Sequence, residues 1–380
     1  MVKDSKKTNW QTKKIDDACN VAYGTRVVNK RDGGSIYPVY GGGGATFFMD
    51  EYNREDCMVV ARFAMSEKCT RFVSGKFFLN DSGLTVLPKS NKEISQEFLD
   101  YQLISLNDYI YSLARGSAQK NLDLPAFRKL EISYPESLPE QHRIVKILDE
   151  VFADTAKAKE NAGKNLQNAK ELFESYLQSV FANPGKDWEK KRLGEAYDVR
   201  DGTHDSPKYQ KEGYALITSK NLKRDELDYQ KIKYISEKDY KKINERSKVH
   251  KGDILFAMIG TIGNPVVIKN EPDFAIKNVA LFKIPKEQNS YFLKYFLDSK
   301  FVIDKMMSEA KGTTQKFVGL GYLRDFIIQL PKLDEQKSIV AKLDALSAET
   351  RKLETIYQQK LADLEELKKS VLKRAFNGDL

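Results

Sequence analysis

WQTKKIDDACNVAYGT, residues 10–25, returns as WEKKRLGEAYDVRDGT at 188–203, with Trp, Lys, Ala, Val, Gly and Thr matching at a constant offset of 178. A second pair lies further along. GSAQKNLDLPAFRKLEISYPESLPEQ from Gly116 matches GTTQKFVGLGYLRDFIIQLPKLDEQ from Gly312, with one residue dropped before the Glu-Gln pair; from there to Phe181 and Phe376 the offset is 195. About half the chain is therefore duplicated, with its ends retained and its middle diverged in sequence and length. That period is far longer than a solenoid repeat, so each copy is expected to be a domain with an appendage.

The 380 residues are 41% hydrophobic and contain no apolar run near the roughly 20 residues of a membrane span, which suggests a soluble chain with two cores and no membrane partner. No export signal is visible before Asn9, and Cys19, Cys57 and Cys69 have neither disulfide nor metal spacing, so a cytoplasmic location is expected. Net charge is +9, and Lys+Arg against Asp+Glu count 19 and 17 in residues 1–137, 6 and 7 in 138–183, 29 and 21 in 184–332, and 9 and 9 in 333–380. The excess sits in 1–137 and 184–332. A polyanion partner rewards such asymmetry through counterion release; a solvated lysine-rich surface is the plainer alternative.

Residues 138–183 and 333–380 read as helices. In the second, Ile339, Leu343, Leu346, Thr350, Leu353, Tyr357, Lys360, Leu364, Leu367 and Val371 fall at alternating steps of four and three, a heptad seam. The counterparts Ile144, Leu148, Val151, Thr155, Ala158, Ala162, Asn165, Ala169, Leu172 and Tyr176 form a similar seam with smaller residues in its middle. Small side chains facing large ones suit close packing, so the two helices are expected to pair antiparallel. About 45 residues at about 1.5 Å each give a rod of roughly 65–70 Å. Ser137-Leu138-Pro139-Glu140 has capping-box spacing, and Asn183-Pro184-Gly185 ends the first helix.

The middles read as mixed α/β (α+β). Strands are expected near Tyr37–Tyr40, Cys57–Arg62, Leu84–Leu87, Ala215–Thr218, Asp253–Met258, Pro265–Ile268 and Ala280–Ile284, with helices near Gln96–Ala114 and Ser290–Ala310. Catalytic signatures fail on their chemistry. Gly41–Gly44 lacks the Gly-Lys-Ser/Thr of a phosphate loop; Pro272–Lys277 has Ile276 where a nuclease needs its second acid; His204-Asp205-Ser206 are adjacent, whereas a triad converges from separate segments. Three histidines and no paired Cys/His ligands argue against zinc, and no amino-methylation motif is present, so the chain reads as a binder and not an enzyme.

The duplicated Trp start, Gly312–Lys316, Leu138–Gln141 with Ile144-Val145, Leu333–Gln336 with Ile339-Val340, and Gly252–Leu255 running into Gly260–Gly263 together resemble the specificity subunit of type I restriction-modification systems. The resemblance covers nearly the whole chain. It implies two pseudo-twofold-related target-recognition domains, 1–137 and 184–332, joined by an antiparallel two-helix coiled coil made of the spacer helices 138–183 and 333–380. Each domain would read half of a bipartite double-stranded DNA site, with two modification subunits that carry S-adenosylmethionine, and restriction subunits, as partners; no cofactor is expected in this chain. The first copy departs in having Gly-Ser-Ala-Gln-Lys where the second has Gly-Thr-Thr-Gln-Lys. Polar residues on glycine-rich loops suit base edges, which nominates Ser117, Gln119 and Lys120, then Thr313, Thr314, Gln315 and Lys316, and Ser219, Lys220, Asn221, Lys277 and Asn278. A related restriction system that cuts on both sides of its site (type IIB-like), or a coiled-coil adaptor that binds proteins, would also fit this architecture.

Overall fold

The computed structural model describes residues 9–312 and 315–380. It divides into two compact units, Met1–Gly163 with Gln358–Leu380, and Lys164–Tyr357. Two long helices, Leu138–Ala182 and Leu333–Phe376, each contribute one half to each unit.

In the first unit a sheet runs in the order Cys19–Tyr23, Gly83–Pro88, Arg54–Ala61, Thr70–Leu79, Tyr37–Tyr40, Ala45–Met49. Strand Thr70–Leu79 passes through Gly75 at φ +75°, and its far end returns to the start of the sheet, where Thr25 N donates to Leu79 O (2.9 Å). The second unit has a four-stranded sheet, Asp198–Asp201, Val279–Lys283, Ile254–Ala257, Gly263–Val267, in the same connectivity as the first four strands of the other. The middles then diverge. The first copy adds the hairpin Tyr37–Tyr40 with Ala45–Met49; the second adds a three-stranded sheet (Lys233–Ile235, Tyr214–Ile217, Ala275–Ile276), the hairpin Leu222–Lys223 with Glu226–Leu227, and the helix Glu237–Ser247.

The retained ends form one frame twice. Strand Trp10–Lys14 pairs antiparallel with Glu131–Pro135, and Glu189–Arg192 with Ile327–Leu330. Trp10 packs edge-on against Phe98, and Trp188 against Phe292, at centroid distances of 6.1 and 5.8 Å. The glutamine of each Glu-Gln pair is fully buried. Gln141 accepts from Ser95 N and donates to Glu93 O and Pro135 O, all at 2.8 Å; Gln336 accepts from Asn289 N (2.9 Å) and donates to Gln288 Oε1 (2.8 Å) and Pro331 O (2.9 Å). In both units it ties the start of a long helix to a domain helix beginning near Ser95 or Asn289. Those residues cap their helices by accepting from Phe98 N (3.2 Å) and from Tyr291 N (2.9 Å). Tyr101 OH bonds Asp149 (2.6 Å) and Tyr295 OH bonds Asp344 (2.5 Å), which closes the same junction a second time.

The long helices correct part of the heptad reading. On Leu138–Ala182 a stripe of covered positions runs through Ile144, Leu148, Val151, Thr155, Ala158, Ala162, Leu166, Ala169, Phe173, Leu177 and Val180, which is 36 residues in ten steps, with the buried Val145 and Phe181 flanking its ends. That is the 3.6-residue period of a straight helix, not the 3.5 of a heptad, so past Ala162 the expected positions Asn165, Leu172 and Tyr176 fall one residue off the buried face while Ala169 stays on it. Leu172 (51%) and Tyr176 (39%) are exposed, and Phe173 and Leu177 lie in the second unit's core instead. On Leu333–Phe376 the same drift leaves Leu353 (36%) and Leu367 (46%) exposed, while Glu354, Leu361 and Lys368 take the covered positions. Ile144 and Leu148 join Leu372 and Phe376 in the first unit's core, with Val371 packed beside them. Leu343 lies in the second core with Ile339 and Leu346 against it, and Val151, Tyr357 and Leu364 are half-buried. Within the first unit Arg143 reaches Leu380 O (2.7 Å) and Lys159 pairs with Glu365, which sets the helix segments there antiparallel.

Candidate nucleic-acid interface

Strand register brings the loops between strands to one end of each sheet. In the first unit Tyr23 and Val60 both face Leu84, and Ala61 faces Gly83, so Gly24, Arg62 and Ser82 emerge together: Gly24 N donates to Gly83 O (3.1 Å) and Arg62 N to Ser82 O (2.8 Å). In the second unit Asp201 faces Ala280 and Ala257 faces Val279, and Gly202 N donates to Val279 O (3.0 Å). The duplicated Gly-Thr sits here because its backbone runs too close to a neighbour for a side chain. An added Cβ would lie 2.1 Å from Asn80 O at Gly24 and 2.3 Å from Ile276 O at Gly202.

The Gly-Ser-Ala-Gln-Lys and Gly-Thr-Thr-Gln-Lys loops dock on the same ends. Leu122 N donates to Arg62 O and Met65 N to Lys120 O (2.9 and 2.8 Å), as Val318 N donates to Met258 O and Gly260 N to Lys316 O (3.0 and 2.9 Å). Gly116 and Gly312 take φ of +111° and +96°, a region that favours glycine, and a Cβ on either would collide with the carbonyl of Gln119 or Gln315 at 2.2 and 2.3 Å. The sequence difference between the two loops thus leaves their backbone anchoring alike.

Of the nominated residues, Ser117, Gln119, Gln315 and Lys316 are exposed on these loops. Lys120 is also exposed and stands over the Tyr111 ring at 4.4 Å. Thr313 and Thr314 lie outside the described residues. Lys277 and Asn278 begin the edge at Val279, Lys277 donating to Ser206 Oγ (2.5 Å), and Ser219 Oγ donates to Asn278 O (3.1 Å). Lys220 is exposed on the short turn just after Ser219. Asn221 is different: it is 7% exposed, its Oδ1 accepts from Thr218 N and Oγ1 (3.0 and 2.9 Å), and its Nδ2 donates to Asp228 O (2.9 Å). Its carboxamide holds the base of the hairpin and is not presented to a ligand, which corrects its nomination.

Several residues at these ends were not nominated. Gly41–Gly44 folds over the first end: Arg71 donates to Gly43 O and Gly42 O (2.7 and 2.9 Å), and a Cβ on Gly42 would meet Phe63 O at 2.6 Å. Arg26, next after the first Gly-Thr, is exposed. His204, next after the second, does not form a triad with its neighbours; it bonds Asp201 through Nε2 (2.8 Å) and Asn278 through Nδ1 (2.9 Å), and Asp201 also pairs with Arg246. The signal for Arg26 and His204 was the repeated Gly-Thr, which marks the loop end but not the identity of the residues beyond it.

Burial pushes the Cys19 thiol up to about 12 and those of Cys57 and Cys69 to about 11, which keeps them protonated at neutral pH and away from nucleophilic chemistry. Among the described residues no group of three or more His, Cys, Asp or Glu side chains is arranged to hold a metal ion. No described helix is long and apolar enough to cross a membrane.

The family model of the type I restriction modification DNA specificity domain matches residues 7–165 and again 185–364, once for each copy. This chain belongs to that family. Among curated relatives it is 24% identical over 332 residues to the type I restriction enzyme MjaVIII specificity subunit of Methanocaldococcus jannaschii, a match that covers 81% of this chain and 76% of the relative. It is 29% identical over 173 residues to the EcoBI specificity subunit of Escherichia coli, covering 45% of this chain and 36% of that one. Among solved structures, one determined for complex assembly and conformational transition of the type I R-M system aligns with a TM-score of 0.74 at 18% identity, over 98% of both chains. The HsdS subunit from Thermoanaerobacter tengcongensis aligns with a TM-score of 0.60 at 18% identity, over 98% of this chain and 97% of that one. At these identities the structural matches speak for the fold: two family domains, each ending in a long helix.

Proposed function

We propose that this chain is the DNA sequence-specificity subunit of a type I restriction-modification complex and is not itself catalytic. Each sheet end reads one half of a bipartite double-stranded site. The observation that carries this is one frame built twice, with the same backbone anchors at Gly24 and Gly202, Gly116 and Gly312, holding loops of unlike composition. A repeated frame with unlike loops suits two unlike half-sites, as symmetric dimers suit palindromes. The basic excess of residues 184–332, 29 against 21, adds the sequence-independent part of DNA binding.

The long helices fix the spacing between half-sites and dock two modification subunits; Leu172, Tyr176, Leu353, Ile356 and Leu367 are large apolar side chains left exposed on them. S-adenosylmethionine belongs to those partners, which perform the methyl transfer, and restriction subunits complete the complex. The division at 1–137, 138–183, 184–332 and 333–380 follows from the same reading, and the cytoplasm, where the DNA is, is the compartment it requires.

The test is to express the chain with its modification subunits and map methylated adenines across the host DNA. A bipartite motif with two different halves and a fixed gap is expected, with two modification subunits per copy of this chain in the purified complex. Methyl transfer by the isolated chain would overturn the reading.

A further inference from the structure

Resting on the reading of the second unit as a DNA reader, we propose that Asn278 is its adenine-reading residue, held in the reading pose by His204 through the buried Asp201. Asn278 lies at the loop end of the second sheet with its backbone fixed on every side. Its φ is +54°, its N donates to Thr203 O (3.2 Å), and its O accepts from Ser219 Oγ (3.1 Å). Its side chain is held too, with Oδ1 2.9 Å from His204 Nδ1. The imidazole in turn has its Nε2 2.8 Å from Asp201 Oδ2, and Asp201, 5% exposed, has its other oxygen paired with Arg246. A carboxamide positioned in this way needs no ordering when a base arrives.

Adenine offers an N6 donor and an N7 acceptor on its major-groove edge, and a carboxamide matches both at once. The arrangement leaves that capacity free. Because Nε2 faces a carboxylate it carries a proton, so Nδ1 either donates to Oδ1 as imidazolium or, with the amide turned over, accepts from the NH2 group. In the first state Oδ1 keeps a lone pair and the NH2 both protons; in the second Oδ1 is wholly free and the NH2 keeps one proton. Either way one donor and one acceptor remain side by side. The neighbouring candidates are committed elsewhere: Lys277 to Ser206, Ser219 to Asn278 O, and Asn221 to its hairpin.

Among the described residues, the first copy holds no such device at the matching positions. The offset that aligns Ala280 with Leu84 sets Ser82 against Asn278, and the offset that aligns the Gly-Thr pairs sets Tyr23 against Asp201 and Arg26 against His204. Ser82 Oγ accepts from Gly42 N (3.3 Å), and a lone hydroxyl cannot make the two-point contact. The adenine contact therefore belongs to the half-site read by the second unit.

The test begins by selecting the sequence bound by the full chain with its modification subunits from randomised duplexes. Each adenine of the selected site is then replaced by 7-deazaadenine, which lacks the N7 acceptor. One position in one half-site should lose binding by part of the about 5- to 150-fold of one bidentate contact, since one of its two bonds is deleted, and Asn278→Gly, which deletes both, should lose at least as much on the natural site while becoming indifferent to the 7-deaza replacement there. Glycine adopts positive φ without strain, so the variant keeps the loop. His204→Ala should relax the same position alone, with the melting temperature and the preference at the other half unchanged. A selected bipartite site that Asn278→Gly reads unaltered overturns the adenine contact and leaves the function standing; so does a His204→Ala variant that weakens all sequences equally, for the positioning role. Selection that enriches no bipartite sequence overturns both.

Discussion

Replacing Asp100 with Asn is expected to stabilise the first unit, and to do so increasingly as pH rises from 5 to 8. Asp100 lies on helix Gln96–Ser105, is 6% exposed, and its Oδ1 accepts from Gln96 Nε2 (2.7 Å). Burial pushes its carboxyl from 3.8 to about 7, Glu97 adds slightly, and the Gln96 bond opposes both. The unfolded chain releases this proton near pH 4 while the folded chain keeps it to about 7, so in that window the folded state binds more protons and stability falls as pH rises. Below pH 4 nothing is lost, and above 7 the loss is complete. A rise from 3.8 to about 7, at about 1.4 kcal/mol per pH unit, makes the full loss about 4 kcal/mol, of which about 3 falls between pH 5 and 8. Asn is neutral and nearly isosteric, and its Oδ1 retains the Gln96 bond, so the variant escapes this loss. Paired urea or thermal melts at pH 5 and pH 8 isolate it, because every other titrating group is common to both proteins. The gap between variant and wild type should widen by about 3 kcal/mol, roughly 5–10 °C in the transition of that unit. An equal gap at the two pH values, or a variant less stable at pH 8, would refute the assignment of a buried, uncompensated carboxyl. The equivalent position in the second unit is Lys294, also buried, but its charge is met by Asp225 (2.5 Å) and Asp298 (3.3 Å).

Gln141→Ala and Gln336→Ala should each cost about 2–4 kcal/mol, since each strands a buried amide and buried acceptors, and hydrogen exchange should show the loss in one unit at a time. Gly312→Ala should cripple binding at the second half-site while the melting temperature moves little, because the strain at φ +96° falls on a surface loop; nearly normal recognition would detach that loop from the interface. Gln315→Ala or Lys316→Ala should weaken one half-site by about 1–3 kcal/mol if a base edge is lost, or all sequences alike with a shallower salt dependence if the contact is to phosphate; unaltered binding in both removes them from the site. Four residues inserted after Gly163 and four after Tyr357, where the units divide on the two helices, lengthen each by about 6 Å and should shift the methylated motif's gap by one or two base pairs with both half-sequences unchanged; an altered half-sequence with the old gap would refute the spacer role.

The duplication and the hydrophobic period were legible in the sequence because they are written in residue types: the Trp starts, the glycines and the apolar steps. Strands such as Leu84–Leu87 and Ala280–Ile284 could be placed because they are apolar runs between turn residues, and they appear as Gly83–Pro88 and Val279–Lys283. The ten-residue strand Thr70–Leu79 could not, since its middle, Ser74-Gly75-Lys76, is polar and carries a bend, and its identity as a strand comes from its neighbours. The helical seam was placed well near each helix start and only at some positions after Ala162 and Thr350: Leu172, Tyr176, Leu353 and Leu367 fall off the covered face while Ala169, Tyr357, Leu364 and Val371 stay on it, because a difference of 0.1 residue per turn, small over one heptad, adds up to a full position over the length of the helix. In the interface, glycine requirements could be seen but partners could not. Nothing in the sequence says that His204 faces Asn278 as well as Asp201, because that contact joins two segments 74 residues apart.

What separates frame from reader is the kind of bond each uses. The frame is held by backbone clearance at Gly24 and Gly202, by carboxamides tied mainly to backbone at Gln141 and Gln336, and by the Tyr101 and Tyr295 hydroxyls. None of these depends on the side chains of the loops it supports. The loop-end positions, Ser82 against Asn278 and Arg26 against His204, are therefore free to differ, and they do. The same holds for the added elements: one copy extends its sheet through Ala45–Met49 and the other adds Glu237–Ser247, yet the backbone bonds from Gly24 and Gly202 to the neighbouring strand agree within 0.1 Å, at 3.1 and 3.0 Å. On the proposed reading, a frame insensitive to its loops would let one half of a DNA target change while the other half, and the gap between them, stayed fixed.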